Sequence, residues 1–441
     1  MDTVDVGILR APSINFVLTG DFLLEGDVVS GENSVIFEDG RLRFNGRMYD
    51  VLRFKASAQD SSFTLRDVVI GVGFHWQRLE DQTFKGDLHF IVEDGQVRAI
   101  NHLLIEEYLV SVISSEMSAT SSLEFLKAHT IISRSWLYAQ LYRKERVGEG
   151  TLGYENEDET IRWYAREDHT LFDLCADDHC QRYQGITRAL NPNVARAVKE
   201  TEGVVLMYDG EVCDARFSKS CGGVTEKFSA CWEDVDYDYL KAFRDCAGGN
   251  PLPDLTTEDG ARAWIEDVPD SFCSTTDKAV LSQILNGYDQ ETNDFYRWRV
   301  EYSQKELSEL VKKRSGIDFG DILDIQPVER GASGRLVKLR IVGSKATRIV
   351  GKELEIRRWL SETHLYSSAF VVDKKVDADG LPLFLLKGAG WGHGVGLCQI
   401  GAAMMGERGY SHEQILLFYY PGANLADVKT THSERECHFL A

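Results

Sequence analysis

The 441-residue sequence has no apolar run of about eighteen residues or more, so no segment is expected to cross a membrane as a helix. It also lacks a surplus of positive charge. Lys and Arg number 49 against 70 Asp and Glu, for a formal net charge of −21. Such a balance does not displace counterions from a phosphate backbone, which excludes nucleic acid as an expected partner. A neutral or weakly charged polymer such as a glycan fits without strain. The opening residues MDTVDVGILRAPSINFVL lack the basic stretch and long apolar core of a signal peptide. No tandem repeat or low-complexity tract is present. The nine cysteines are spread too thinly for a small disulfide scaffold, and their odd number prevents complete pairing within the chain. What remains, 43% hydrophobic and 27% charged residues, is ordinary for a globular protein with room for two or three domains or one elaborated domain.

Against that background one stretch stands out: Gly388 to Ala402, GAGWGHGVGLCQIGA, where six glycines surround one histidine and one tryptophan. Glycine permits positive φ and close approach to the main chain at a cost in order, so this density points to a shaped site. The plainer reading is a tight turn feeding a buried helix, with His393 a satisfied core histidine and Trp391 core packing rather than a sugar platform. The run is not a phosphate loop, because no Gly-Lys-Ser/Thr follows. Cys398, five residues from His393, is a weak candidate nucleophile without a visible third member.

The pattern along the chain predicts an α+β protein. Residues 1–100 alternate apolar and polar over short runs, and the Asp-Gly pairs in SVIFEDGRLRF and DLHFIVEDGQVRAI predict antiparallel hairpins. The period changes at Leu104. Ile105, Leu109, Val112 and Ile113 fall at helical spacing, and SSLEFLKAHTIISRSWLYAQLYRK predicts a second, nearly all-apolar helix with Ser121 and Glu124 as its capping box. Arg134, in the middle of that helix, then requires a carboxylate or carbonyl partner. Glu106 and Glu107 complement the helix dipole. Residues 150–168 are expected to be a polar loop, 201–235 β-rich, and 246–262 a loop at a boundary. Residues 298–372 are expected to hold an amphipathic helix, SQKELSELVKKRSG, and strands such as RLVKLRIVG. YSHEQILLFYYPG predicts a short helix capped by Ser411. The regions are thus a β-rich part (1–100), a central helical and Cys/His part (101–250), a mixed part (251–372), and the glycine-rich signature with its C-terminal helix (373–441).

Two constellations carry chemistry. Glu116, in ISSEMSAT, falls at a helix junction, where a half-buried carboxyl group suits a general acid; the alternative is a surface glutamate at a helix end. His169, Cys175, His179 and Cys180, in HTLFDLCADDHC, put four zinc-type donors within twelve residues. A Cys175–Cys180 disulfide with exposed histidines, or free thiols, remain open beside the zinc reading. Four protein ligands would make the metal structural, with no position left for water.

Taken together, NHLLIEEYLVSVISSEM, LEFLKAHTIISRSWLYAQ, FSKSCGGVTE, SGRLVKLRIVG with LYSSAFVV, and GAGWGHGVGLCQIGA with EQILLFYYPGANL resemble the SpoIID/LytB family of bacterial cell-wall proteins. The resemblance runs from about 85 to 425, in the family's order, as one SpoIID-like unit. It implies a peptidoglycan lytic transglycosylase whose catalytic glutamate, that of the Glu-Met pair, is Glu116. It implies a Zn2+ held by the His169, Cys175, His179 and Cys180 cluster, and a location outside the cytoplasmic membrane, in the periplasm or at the cell surface. The chain departs from the family pattern at Cys221 and Cys398, where small or polar residues are common, and at His129, where glutamine is usual. Relatives known mainly as enhancers of a partner amidase make a non-catalytic glycan-binding or amidase-enhancing module the alternative.

A lytic transglycosylase protonates the oxygen between N-acetylmuramic acid and N-acetylglucosamine and then accepts the C6 hydroxyl proton, closing a 1,6-anhydro ring. One carboxyl group suffices. A hydrolase requires a second at about 5–5.5 Å or about 6.5–9.5 Å. The glycine-rich loop, with Trp391, Gly392, His393 and Gly394, is expected to wall the glycan groove beside Glu116, with Arg134 as a further contact or a structural residue. A zinc hydrolase would instead need three protein ligands and an open position.

Overall fold

The computed structural model describes residues 2–71, 78–118, 121–144, 153–164, 169–177, 180–187, 192–278, 281–282, 295–376 and 380–429. The chain divides into two compact units, Met1–Lys144 with Arg166–Gly203, and Glu145–Ala165 with Val204–Ala441. The α+β class expected from the sequence is observed. Among the described residues no helix is long and apolar enough to cross a membrane.

The first unit is built on antiparallel strands. Both Asp-Gly pairs are hairpin turns: Asp39 and Gly40 have φ of 48° and 80°, Asp94 and Gly95 of 50° and 70°. Two consecutive left-handed residues are what a type I′ turn requires, and its twist matches the flanking strands. They join Asp27–Glu38 to Arg41–Phe44 and Asp87–Glu93 to Gln96–Leu104. Alternation sends Phe16, Phe54 and Phe90 inward, where their ring centroids lie 5.0 to 6.1 Å apart. One pairing was not expected. Leu174–Cys175 adds in parallel to Thr3–Ala11, with Cys175 opposite Gly7. The missing side chain at Gly7 is what admits Phe172, since a β-carbon there would lie 2.7 Å from its ring. The sheet edge thereby anchors the Cys/His segment.

Among the described residues this unit also holds the α-helices α1 (Ile105–Glu116), α2 (Leu123–Lys144) and α3 (Pro192–Glu200). The four residues predicted at helical spacing in α1 are all buried. Helix α2 is buried almost all round, and its polar residues stay satisfied by bonding back one turn. Thr130 donates to the Leu126 carbonyl at 2.8 Å and Ser135 to that of Ile131 at 2.6 Å. The capping expectation shifts by one residue: Ser122, not Ser121, precedes the helix and accepts from the Phe125 N–H at 3.4 Å. Ser121 donates instead to the Ser118 carbonyl at 2.9 Å, and Glu124 pairs with Lys127.

In the second unit two stretches expected as loops contain regular elements. Within 150–168, Gly153–Glu155 and Glu159–Arg162 are strands, the latter parallel to Thr347–Gly351. The acidic composition hid the adjacent residues Thr160 and Ile161, both of which are buried. Within 246–262 a helix starts at Glu258, capped by Thr257, which accepts from the Gly260 N–H at 3.2 Å. The amphipathic helix is Gln304–Ser315, with a Ser303–Glu306 capping box and left-handed Gly316. Its Leu307 and Val311 join Trp298, Leu339, Ile356 and Phe384 in the core of this unit. The short C-terminal helix is His412–Tyr419, capped by Ser411 as its sequence predicts, and Gln414 completes a capping box.

Candidate active site and metal centre

Glu116 is the last residue of α1 and is half-buried. The helix stops because Met117 turns extended while its N–H still reaches the Ile113 carbonyl at 3.1 Å. Met117 is fully buried, so the hydrophobic residue of the Glu-Met pair pins the junction and fixes where the carboxyl group emerges. One carboxylate oxygen accepts the Arg182 N–H at 3.0 Å. The flanking residues hold Arg182 rigidly. Gln181 accepts from the Tyr108 hydroxyl at 3.0 Å and donates to the Ser133 carbonyl at 3.3 Å. Tyr183 donates to Asn101 at 2.6 Å and stacks on Tyr108, with centroids 5.2 Å apart. Burial, then the Cys180 and Cys175 sulfurs, hold the Tyr108 hydroxyl well above its ordinary range, so it stays a donor.

Arg182 stands just beyond the Cys/His segment. The ligand atoms of His169, Cys175 and Cys180 lie within 4.8 Å of one another. Cys175 is placed by the strand pairing with Gly7, and Cys180 by its N–H on the Asp177 carbonyl at 3.0 Å. Two sulfurs and an imidazole converging at that spacing fit zinc, and three donors are compatible with a fourth from the segment. His179 lies outside the described residues. A cleft of about 530 Å3 in this unit is lined by Arg10, Arg98, His169, Cys175, Arg182 and Tyr183 among others. Glu116 is not among its lining residues, so Arg182 is the link between cleft and carboxyl group.

Arg134 is fully buried. Its Nε donates to Glu106 Oε1 at 2.8 Å and its Nη2 to Oε2 at 2.6 Å, a planar fork joining α2 to the first turn of α1. The sequence reading gave Glu106 only a dipole role; the structure makes it the partner that Arg134 required.

The glycine-rich loop belongs to the second unit. Gly390, Gly392, Gly394 and Gly396 alternate with side-chain-bearing residues, and all four have positive φ, between 71° and 91°. The alternation wraps the loop around Arg335. This fully buried guanidinium donates from Nε to the Gly392 carbonyl at 3.1 Å, and from Nη1 to the Cys221 carbonyl at 3.2 Å and the Ser333 hydroxyl at 2.8 Å. A β-carbon at Gly394 would lie 2.5 Å from the guanidinium carbon. Trp391 is half-exposed and packs between Phe295 and Tyr366, with centroids 4.8 and 4.5 Å away. His393 accepts the Val395 N–H on Nδ1 at 3.0 Å and meets Trp232 edge-on at 4.9 Å. Burial first, then the charges of Arg216, Arg335 and Arg357, hold its imidazole well below the ordinary range, so it is neutral.

Glu226, the acid of FSKSCGGVTE, is fully buried in the same unit. One oxygen accepts the Lys227 and Ala332 N–H groups at 2.8 and 3.0 Å, the other the Ser333 N–H at 3.0 Å and hydroxyl at 2.6 Å. Sequence reasoning singled out neither Arg182, Arg335 nor Glu226 as a positioning residue. The only available signal was the charge of Glu226 inside a run of small residues. Glu116, Arg134 and the Cys/His cluster share the first unit, and Trp391, Gly392, His393 and Gly394 are carried by the second.

The family model described as Stage II sporulation protein matches residues 93–208, a span that contains Glu116 and the Cys/His segment. A domain of unknown function, DUF8618, matches 226–396, from Glu226 through the alternating glycines. The amidase enhancer of Bacillus subtilis is 29% identical over 334 residues, which is 72% of this chain but 40% of that protein. The chain therefore spans less than half the length of that relative. An uncharacterized protein of Brachyspira hyodysenteriae is 25% identical over 80% of this chain and 75% of its own length. Stage II sporulation protein D of Bacillus subtilis is 21% identical over 75% of this chain and 77% of its own length.

Proposed function

The chain belongs to the SpoIID/LytB family, and on that premise we propose that it is a peptidoglycan lytic transglycosylase with Glu116 as its single acid and base. The observation that carries this reading is the fixed, half-buried carboxyl group at the end of α1, held at one oxygen by the Arg182 N–H. The carboxylic acid gives its proton to the glycosidic oxygen as the bond to the muramic C1 breaks. The carboxylate then takes the proton of the C6 hydroxyl as that oxygen closes on C1. Acid and base are regenerated in one cycle, and no water is consumed.

Zn2+ suits the donors His169, Cys175 and Cys180, with His179 as the fourth ligand implied by the family resemblance. A bound ion there supplies rigidity. Residues 169–183 carry the Arg182 N–H, so their order sets the orientation of the Glu116 carboxyl group. Arg10, Arg98 and Arg182 around the neighbouring cleft suit the carboxylates of muramic acid or of stem peptides. Trp391, Gly392 and His393 are assigned to glycan contact only through the partly exposed edge of their loop, which the buried Gly394 supports from behind. The working location is outside the cytoplasmic membrane, in the periplasm or at the cell surface.

A second reading is favoured by one finding: the relative at 29% identity is named an amidase enhancer. In that case the same surface would grip glycan or a cell-wall amidase without cleaving. Mass spectrometry of the products from intact and peptide-stripped peptidoglycan separates the readings. Anhydromuramic ends from the wild type, absent with Glu116→Gln, support the transglycosylase. Glycan binding without any new end supports the enhancer, and reducing ends without anhydro product point to hydrolysis.

A further inference from the structure

The second unit holds a group of side chains that the proposed reaction does not use. Cys221, Asp245, Cys273 and Cys398 are all buried, and one ligand atom from each lies within 4.8 Å of the others. They come from four separate stretches. Cys221 opens the Gly222-Gly223 turn. Asp245 is held to that turn by its N–H on the Gly223 carbonyl at 3.0 Å. Cys273 follows the Glu258–Glu266 helix, and Cys398 ends the glycine-rich loop, its strand residue pairing with Ser218. We propose that these four residues form a second metal site, a closed tetrahedral S3O centre for Zn2+ whose role is structural.

Three observations carry the assignment. The first is spacing. The Cys221 and Cys273 sulfurs are 3.7 Å apart. Two sulfurs on one zinc at about 2.3 Å each are separated by about 3.8 Å in a tetrahedral shell, whereas a disulfide requires about 2.05 Å. The second is donor type: three thiolates select zinc over calcium or magnesium, and the carboxylate supplies the fourth position. The third is the outer shell, which is already complete. The Tyr419 hydroxyl donates to Asp245 Oδ1 at 2.6 Å, and the Cys273 N–H to Oδ2 at 3.0 Å. Each carboxylate oxygen keeps a second lone pair for a metal. The Cys221 N–H donates to the Cys398 sulfur at 3.2 Å, which steadies a thiolate. A β-carbon at Gly401 would lie 2.8 Å from Asp245 Oδ1, so the glycine there leaves room for the Tyr419–Asp245 pair. Arg297, which donates to the Gly222 carbonyl at 3.1 Å, brings positive charge beside a site of net negative charge.

Binding Zn2+ here would form three metal–sulfur bonds and one metal–oxygen bond, with the protons carried by the three sulfurs and the Asp245 carboxyl group released to solvent. The ion would tie the end of the glycine-rich loop to the Gly-Gly turn and so fix the loop around Arg335. Complete burial and four protein ligands leave no position for water, which separates this site from any catalytic metal.

The test counts metal in the full chain purified under reducing conditions. The expected result is two zinc equivalents in the wild type and one in Cys175→Ser/Cys180→Ser, which removes the thiolates of the first cluster. That remaining equivalent, exchanged for Co2+, should give a thiolate-to-cobalt charge-transfer band that Cys398→Ser abolishes. Asp245→Asn provides a milder variant if the serine variant does not fold; it should weaken metal retention and lower the melting temperature. The proposal is overturned if Cys175→Ser/Cys180→Ser is folded and metal-free. It is equally overturned if native and peptide mass spectra find Cys221 and Cys273 lighter by two hydrogens in a mutual disulfide. Loss of transglycosylase activity has no bearing on either outcome, so this result is independent of the reading for Glu116.

Discussion

Two glutamates divide the molecule by chemistry. Glu226, in the second unit, is fully buried and accepts four donors from Lys227, Ala332 and Ser333, with Arg335 close by. Glu116, in the first unit, is half-buried at a helix end and accepts a backbone N–H from a segment that also carries metal-type ligands. A carboxylate saturated by donors has no spare lone pair through which to exchange a proton with a substrate. One fixed at the rim of a helix can keep its geometry while its protonation changes. Position in the sequence does not reveal the difference, since both acids sit among small or polar residues.

The largest expected effect breaks the comparison at its reactive end. Glu116→Gln should lower anhydromuramic product formation by about 10²- to 10⁴-fold, the range for removing a general acid or base. The amide keeps an acceptor for the Arg182 N–H, so the melting temperature should hardly move. Unchanged turnover would remove Glu116 from the mechanism. Glu226→Gln should do the reverse. Either orientation of the amide sets its NH2 against at least one backbone N–H, since only the Ser333 hydroxyl can turn to accept from it, so stability should fall by about 3–5 kcal/mol in denaturant titration. A Glu226→Gln protein as stable as the wild type would mean that the donor cage is not what holds the loop.

Removing the thiolates tests whether the metal segment governs Glu116. Cys175→Ser/Cys180→Ser should raise amide exchange at Arg182 and Tyr183. Activity should fall by on the order of 10²-fold, the penalty for displacing a catalytic group by about 1 Å. Faster exchange with full activity would uncouple the segment from the acid. A smaller contrast lies inside the glycine-rich loop. Gly394→Ala meets both a left-handed backbone, φ 76°, and the Arg335 guanidinium at 2.5 Å, and should cost about 2–4 kcal/mol. Gly392→Ala, at φ 91° with only the Ser218 side chain at 3.1 Å, should cost about 1–2 kcal/mol. Equal losses would show that backbone strain, not the packing on Arg335, dictates these glycines.

Much of this arrangement was legible. The Asp-Gly hairpins, the change of period at Leu104, the amphipathic helix after Ser303, the Ser411 cap and the density of glycine before Cys398 each have a local cause, and each appears where its residues predict; the capping box expected at Ser121 and Glu124 lies one residue off. That a buried Arg134 needs a carboxylate or carbonyl partner was also predictable, although not that Glu106 supplies it. What stayed hidden depends on long-range pairing. The strand Leu174–Cys175 is two residues long and exists because Gly7 opens the sheet edge 168 positions earlier. The strands within 150–168 are short, and their charged residues mask the buried Thr160-Ile161 pair. Arg335 has no periodicity to betray it; its role comes from a loop more than fifty residues away that closes around it. The Cys221, Asp245, Cys273 and Cys398 group is scattered over four stretches, so no ligand spacing marks it in the sequence.

The finest contrast concerns His393, neutral in the second unit because burial and then Arg216, Arg335 and Arg357 disfavour its cation. Unfolded, the same imidazole titrates near about 6.5. Below that pH the unfolded chain binds a proton that the folded chain refuses, so this residue makes stability rise with pH and fall on acidification through about 6.5. One proton limits the slope to about 1.4 kcal/mol per pH unit. Burial also lowers His364, to about 4, and lowers His89, so the wild-type curve alone cannot assign the effect. The difference between wild type and His393→Gln can. Glutamine retains an acceptor for the Val395 N–H but does not titrate, so the stability gap measured in urea at pH 7 should shrink or invert by pH 5. Parallel curves for the two proteins would mean that the imidazole finds a way to protonate in the fold. That would imply a loop edge open enough to relax away from Trp232, and the loop would then lack the rigidity that the donor cage gives Glu226.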